Sequence, residues 1–222
     1  MRLSIDSELK NVFPDLEVVE TEISEVIVKE RDTSLEKLKK DIIEKVRLSY
    51  TLDTLKDVSV FRAYRDFYWR LKIDPTKTRP SGEALIRRIL LGKEIPEINN
   101  VVDCYNLVSI QTGIAIGVFD RAKLKGDLKL RFAVKGEKFL GIGFEKEDLL
   151  EGKEIVVSDE EKIIAIYPYR DSEHTKVTLE TKALWLLFCG APGIERAKLF
   201  QAKELCINYI EKYCKYSISR KN

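Results

Sequence analysis

The chain has 222 residues, 44% of them apolar and 34% charged, with a formal net charge of +2. That length and composition suit a soluble globular chain with a sizeable core. No apolar run approaches the roughly 18 residues that cross a bilayer, and the near-balanced charge leaves only a local basic patch as a route to nucleic acid.

The N-terminal stretch MRLSIDSELKNVFPDL carries no apolar signal segment, so a cytoplasmic protein without a membrane partner is expected. Abundant Glu and Lys beside one Met and one His lean towards a heat-adapted surface of ion pairs. LEVVETEISEVIV, residues 16–28, alternates and is rich in β-branched side chains, which predicts a first strand. Thr33 and Glu36 stand at capping-box spacing before a helix whose Leu35, Leu38, Ile42 and Val46 share one face. Lys37, Lys39, Lys40 and Lys45 fall elsewhere on that helix and are expected in solvent.

A second helix over 59–71 places Val60, Tyr64, Phe67, Tyr68 and Leu71 at helical spacing, a stripe that predicts core rather than a base-stacking surface. The loop KIDPTKTRPSGEAL leads into a third helix, 81–91, with Arg79 and Ser81 at its N-terminus, where unpaired N–H groups favour an anion. The alternative there is Ser81 as an ordinary cap. Residues 99–112 predict a fourth helix ended by Gly113. The short apolar runs IAIGVFD, LKLRFAV, KFLGIG, EIVVSD, KIIAIYPY and ALWLLFC then read as strands, and a long amphipathic helix over about 194–216 precedes a basic tail. This order predicts an α+β fold: a helical N-terminal half packed on a mostly antiparallel or mixed sheet and closed by a long C-terminal helix, in one domain spanning 1–222.

Chemistry is limited by the single histidine. There is no HExxH, P-loop or GxSxG, and the four cysteines form no C-x-x-C pair, so buried thiols are expected and no metal or cofactor. The best polar candidate follows the apolar run IIAIYPY: the segment RDSEHTKVTLET brings Arg170, Asp171, the lone His174, and Thr175, Thr178 and Thr181 at intervals of three. A buried strand delivering polar groups at its end is a common way to build a site.

Two segments extend this reading. VVDCYNLVSIQTGIAIGVFD, residues 101–120, resembles the VVDxTNYVxxxxGxPxHAFD signature of the tRNA-editing domain of the phenylalanyl-tRNA synthetase β subunit, its B3/4 domain. LKLRFAVKGEKFLGI resembles that domain's hairpin, and WRLKIDPTKTRPSGEALIRR with YRDSEHTKVTLET resembles its stand-alone relatives, the likeness covering about residues 60–200. In the synthetase this domain hydrolyses tRNA mischarged with tyrosine. The resemblance places the family's pocket asparagine at Asn106 and its signature aspartate at Asp103. It also puts Tyr105 where the family has a threonine, Gly117 where it has a histidine and Leu187 where it has the glutamate that reads the tyrosine hydroxyl. Loss of that carboxylate implies that tyrosine is not read by the same contacts.

The resemblance therefore implies a trans-editing aminoacyl-tRNA deacylase with tRNA as partner and an amino-acid moiety as ligand. The alternative is a non-catalytic module that binds tRNA or an amino acid. An aminoacyl ester is activated, and the neighbouring ribose hydroxyl helps orient water, so a site that fixes water and stabilises the oxyanion suffices. Arg170, Asp171, His174 and Thr175 are the catalytic candidates. Asn106, Asp103, Thr178, Thr181, Arg79 and Ser81 are the substrate-binding ones. The expectation is a pocket joining Arg170, Asp171, Thr175 and Asn106, rimmed by Arg121, Lys123, Lys125 and Lys129.

Overall fold

The structure, a computed structural model, describes residues 1–215; the basic tail after Lys215 and the last residue of the expected C-terminal helix lie outside the described residues. The chain opens with β1 (Leu3–Ile5) and α1 (Ser7–Val12), followed by β2 (Val18–Ser24) and three helices, α2 (Glu36–Ser49), α3 (Ser59–Arg70) and α4 (Ser81–Leu90). Then come α5 (Asn100–Thr112), β3 (Ala115–Asp120), β4 (Leu128–Phe132), β5 (Lys138–Phe139), β6 (Asp148–Leu149), β7 (Ile155–Ser158), β8 (Ile163–Ile166), β9 (Arg170–Asp171), β10 (Ala183–Cys189) and α6 (Arg196–Tyr213). The fold is α+β, with helices in the N-terminal half, mixed and antiparallel sheets, and a long C-terminal helix packed on a sheet.

The strands divide between sheets. Five run in the order β1-β4-β7-β8-β9, with β1 parallel to β4 and the rest antiparallel. Three form an antiparallel sheet, β2-β10-β3, in which β10 is central and buried along nearly its whole length. This explains why ALWLLFC reads as an unbroken apolar run: a central strand covered on both faces has no solvent side on which to place polar residues. The remaining pair, β5 and β6, forms a short hairpin against the five-stranded sheet.

Helix α3 buries the side chains its spacing selects, Val60, Tyr64, Phe67 and Tyr68. The Tyr64 hydroxyl donates to the Cys189 carbonyl and accepts from the Ala115 N–H at 3.0 Å, joining α3 to the facing ends of β10 and β3. Helix α5 starts at an Asn99 cap that accepts from the Val102 N–H, and it stops at Gly113, whose φ of +76° favours glycine. Asn100 donates to the carbonyls of Ile27 and Tyr213 and accepts from the Lys29 N–H, which pins α5 to two distant segments. The four cysteines are buried and free.

Two elements, β1 and α1, and one side chain, Lys39, depart from the sequence reading. β1 and α1 are too short to show a period, and their order comes from pairing with β4 and from the Asp6 side chain capping α1. Lys39 is not in solvent: its ammonium lies 2.9 Å from Asp103 and 3.0 Å from Glu97, with side-chain exposures of 9% for Lys39 and 5% for Asp103. Burial alone would lower its pKa, but the hydrogen bonds of Asp103 and Glu97 outweigh that and hold it above the usual lysine value. Among the described residues no helix is long and apolar enough to cross a membrane.

Candidate functional site

A cavity of about 190 Å3 opens where the outer strand β3 of the smaller sheet faces the β8–β9 end of the larger one. Its apolar walls come from Ile116 and Phe119 on β3, Leu187 on β10, and Val157 and Ala165 on the opposite sheet. The segment Tyr167, Pro168, Tyr169 closes one side, and its Tyr167 hydroxyl is anchored on the Gly190 carbonyl at 2.6 Å. Tyr105 and Asn106 of α5 and Ser81 at the start of α4 complete the lining.

Asp171 is the ionisable carboxyl in this lining. Side chains alternate along a strand, so two consecutive residues of β9 face opposite ways. Asp171 pairs with Ala165 and Arg170 with Ile166, both of them cavity residues, but the Arg170 side chain reaches away to the Ile142 carbonyl and the Phe144 ring. The cavity leaves part of Asp171 accessible, yet protein surrounds it. Burial pushes its carboxyl from the ordinary 3.8 up to about 7, against the opposing pull of the Val118 N–H and of Arg170. Tyr105 beside it is raised too, first by burial and then by the Asp171 charge.

Gly117 gives this carboxyl its room. A β-carbon at position 117 would lie 3.0 Å from the Phe119 ring and 3.3 Å from Asp171 Oδ1. Opposite stands the start of α4, where Pro80 is the cap residue and makes no side-chain cap bond. Ser81 is therefore not a cap. Its Oγ is buried, has no hydrogen-bond partner in the protein and lines the cavity. The first N–H groups of a helix have no intrahelical acceptor, so this end can receive negative charge.

Of the sequence candidates, the structure brings Asp171, Asn106 and Ser81 to one cavity, with Tyr105, Gly117 and Leu187. The remaining seven candidates do not line it. Arg170 turns to the other face of β9. His174 is exposed and borders a separate groove beside Glu137 and Lys162. Thr175 is fully buried, with its hydroxyl directed at the Ser172 carbonyl. Thr181 donates to Asp120 at 2.8 Å and accepts the Thr178 N–H, so this pair closes a buried turn. Asp103 is taken up by Lys39, and Arg79 is half-buried in the loop before α4. The pocket expected to join Arg170, Asp171, Thr175 and Asn106 thus contains only the second and fourth.

The expected basic rim is largely neutralised. Arg121 pairs with Glu22, Lys123 with Asp120 and Lys129 with Asp6. The cavity residues that sequence reasoning passed over include Phe119, Tyr169 and Cys189, and an apolar strand run offers no signal to set them apart from core. Among the described residues no cluster of His, Cys, Asp and Glu is arranged to hold a metal ion.

The sequence matches the family described as the B3/4 domain over residues 63–215, more than half of the chain. It is 35% identical over 116 residues to the phenylalanine–tRNA ligase beta subunit of Lactobacillus acidophilus, a match covering 52% of this chain and 14% of that protein. To the same subunit of Fusobacterium nucleatum it is 29% identical over 152 residues, covering 68% of this chain and 19% of the relative. The matched stretch is thus less than a fifth of the length of these relatives. An N-terminal fragment of the phenylalanyl-tRNA synthetase beta subunit from Pyrococcus horikoshii superposes with a TM-score of 0.46 at 15% identity, covering 89% of this chain and 75% of that one. With the family matched from α3 through α6, across every segment that lines the cavity, the chain belongs to the B3/4 domain family, the domain found in the phenylalanyl-tRNA synthetase beta subunit.

Proposed function

We propose that the chain is a cytoplasmic aminoacyl-tRNA deacylase that hydrolyses the ester of a mischarged tRNA, acting in trans. The observation that carries this reading is the placement of the Asp171 carboxyl, with a pKa near neutrality, in one cavity with Asn106 and the uncapped start of α4. A carboxyl with a pKa of about 7 divides between acid and base at physiological pH, which suits proton transfer from water. Water attacks the ester carbonyl and Asp171 takes its proton. The resulting oxyanion is received by the N–H groups at the start of α4 with the Ser81 hydroxyl. The carbon–oxygen bond to the ribose then breaks, and the proton passes to the departing ribose oxygen. Asn106 orients the amino-acid moiety, while Leu187 and Phe119 face its side chain.

Incubation with a panel of misacylated tRNAs tests the reading. Release of free amino acid from at least one of them, lost in Asp171→Asn, is expected. No release from any of them at enzyme excess overturns it.

A second reading rests on the neutralised rim: a module that binds an amino acid without turnover. It predicts saturable amino-acid binding insensitive to salt, because few phosphates are contacted.

A further inference from the structure

The cavity is polar at one end and apolar at the other. Val157, Ala165 and Asp171 stand in register across β7, β8 and β9, so their side chains form one row on one face of the larger sheet. Asp171 ends that row on the edge strand, close to Gly117 on the edge strand of the smaller sheet. Inward from the carboxyl the row continues as Ala165 and then Val157, and on the facing sheet Gly117 is paired with Leu187. Ile116 and Phe119 add to this apolar lining.

None of these inner side chains has a hydrogen-bonding atom. Two lining side chains that do are turned to the backbone: the Tyr167 hydroxyl donates to the Gly190 carbonyl at 2.6 Å, and the Cys189 thiol is directed at the Leu187 carbonyl at 3.7 Å. Polar groups gather elsewhere. Tyr105 is near enough to Asp171 to feel its charge, Asn106 follows it on α5, and the buried Ser81 Oγ has no partner in the protein. A hydroxyl carried into the inner part leaves water and meets no side-chain donor or acceptor, whereas a methyl group there gives up nothing.

Volume narrows the choice further. An apolar cavity of roughly 150 Å3 holds one benzene. Here about 190 Å3 must take a carbonyl, an α-carbon and a side chain together, which leaves room for a branched chain of about three or four carbons rather than a ring.

We propose that the cavity selects a branched aliphatic amino-acid moiety, of the valine, isoleucine and leucine class, and that Leu187, Ala165 and Val157 discriminate against its hydroxylated isosteres. That an aminoacyl group occupies the cavity rests on the deacylase reading; the class of its side chain rests on the lining.

The experiment compares the N-methyl amides of valine, threonine and phenylalanine, which carry no ester, by calorimetric binding to the protein. Hydrolysis of one tRNA charged in turn with valine and with threonine is measured in parallel. Valine and threonine have the same shape, so their ratio reads the hydroxyl alone. The valine amide is expected to bind about 10–100-fold more tightly than the threonine amide, and more tightly than the phenylalanine amide. Leu187→Asn and the isosteric Val157→Thr each supply a polar group, and each should lower the valine-to-threonine ratio at least about fivefold. The wild-type ratio needs no variant to fold. Equal binding of the valine and threonine amides, tighter binding of the phenylalanine amide, or no binding of any amide overturns the proposal. So does an unchanged ratio in both variants when they melt as the wild type does. Selective amide binding without hydrolysis of any misacylated tRNA removes the deacylase reading and leaves the side-chain class standing. Hydrolysis that treats valine and threonine alike does the reverse.

Discussion

Gly117 and Asp171 share one small space: a β-carbon on the first would come within 3.3 Å of a carboxylate oxygen of the second. A glycine on β3 therefore sets where the carboxyl of β9 can stand, although the two strands belong to different sheets. The cavity exists because neither side of this contact carries extra atoms.

Gly117→Ala should disturb the site. The added methyl presses on the Phe119 ring and on Asp171, so crowding costs about 1–3 kcal/mol of stability and deacylation falls several-fold. Thermal melting and single-turnover hydrolysis measure the two effects. Unchanged values of both would mean that the cavity is looser than the contact distance states.

Asp171→Asn should change the pH dependence. The native carboxyl keeps its proton up to about 7, whereas in the unfolded chain it loses it near its ordinary value of 3.8. Between those values the native state binds more protons, so this group's contribution to stability declines as pH rises and levels off above 7. The variant lacks that slope, so its melting temperature should gain on the wild type from about pH 4 to about pH 8. Catalysis runs the other way, with the wild-type rate rising through about 7 as the base is freed. Parallel melting curves across this range would count against a buried, protonated Asp171.

Lys39→Met should be costly. It leaves the buried Asp103 carboxylate without the ammonium now 2.9 Å away, a loss of roughly 3–5 kcal/mol. The double variant Lys39→Met with Asp103→Leu should recover much of it, because no buried charge is then left alone. Denaturant titration of the three proteins decides this, and a double variant less stable than Lys39→Met refutes it.

Thr181→Val separates structure from chemistry. The hydroxyl joins Asp120 to the Thr178 N–H, so its removal should cost about 1–3 kcal/mol. KM and kcat should stay at wild-type values, since the residue does not line the cavity. A large rise in KM at unchanged stability would restore it to the substrate-binding set.

Much of the architecture is legible from local order. The 3.6-residue spacing of Val60, Tyr64, Phe67 and Tyr68 marks α3 and its buried face, Asn99 and Gly113 bracket α5, and the unbroken run at 183–189 marks a central strand. The pattern over 101–120 carries the family. These signals depend on residues close in sequence, which share one element and one period.

The site obeys a different logic. RDSEHTKVTLET reads as one polar segment, but the fold distributes it. Asp171 enters the cavity, Arg170 turns to Phe144, Thr175 is buried, and Thr181 closes a turn with Asp120. Strand alternation requires that Arg170 and Asp171 face opposite ways, but which of them meets the cavity depends on which side of β9 the second sheet covers. Lys39 shows the same limit, since helical phase sets its direction and only the packing of α5 supplies Asp103 there. By itself the sequence determined the longer elements, most of their buried faces and the family. Tertiary structure alone decided which polar groups meet, because contacts between residues distant in the chain are set by how elements pack.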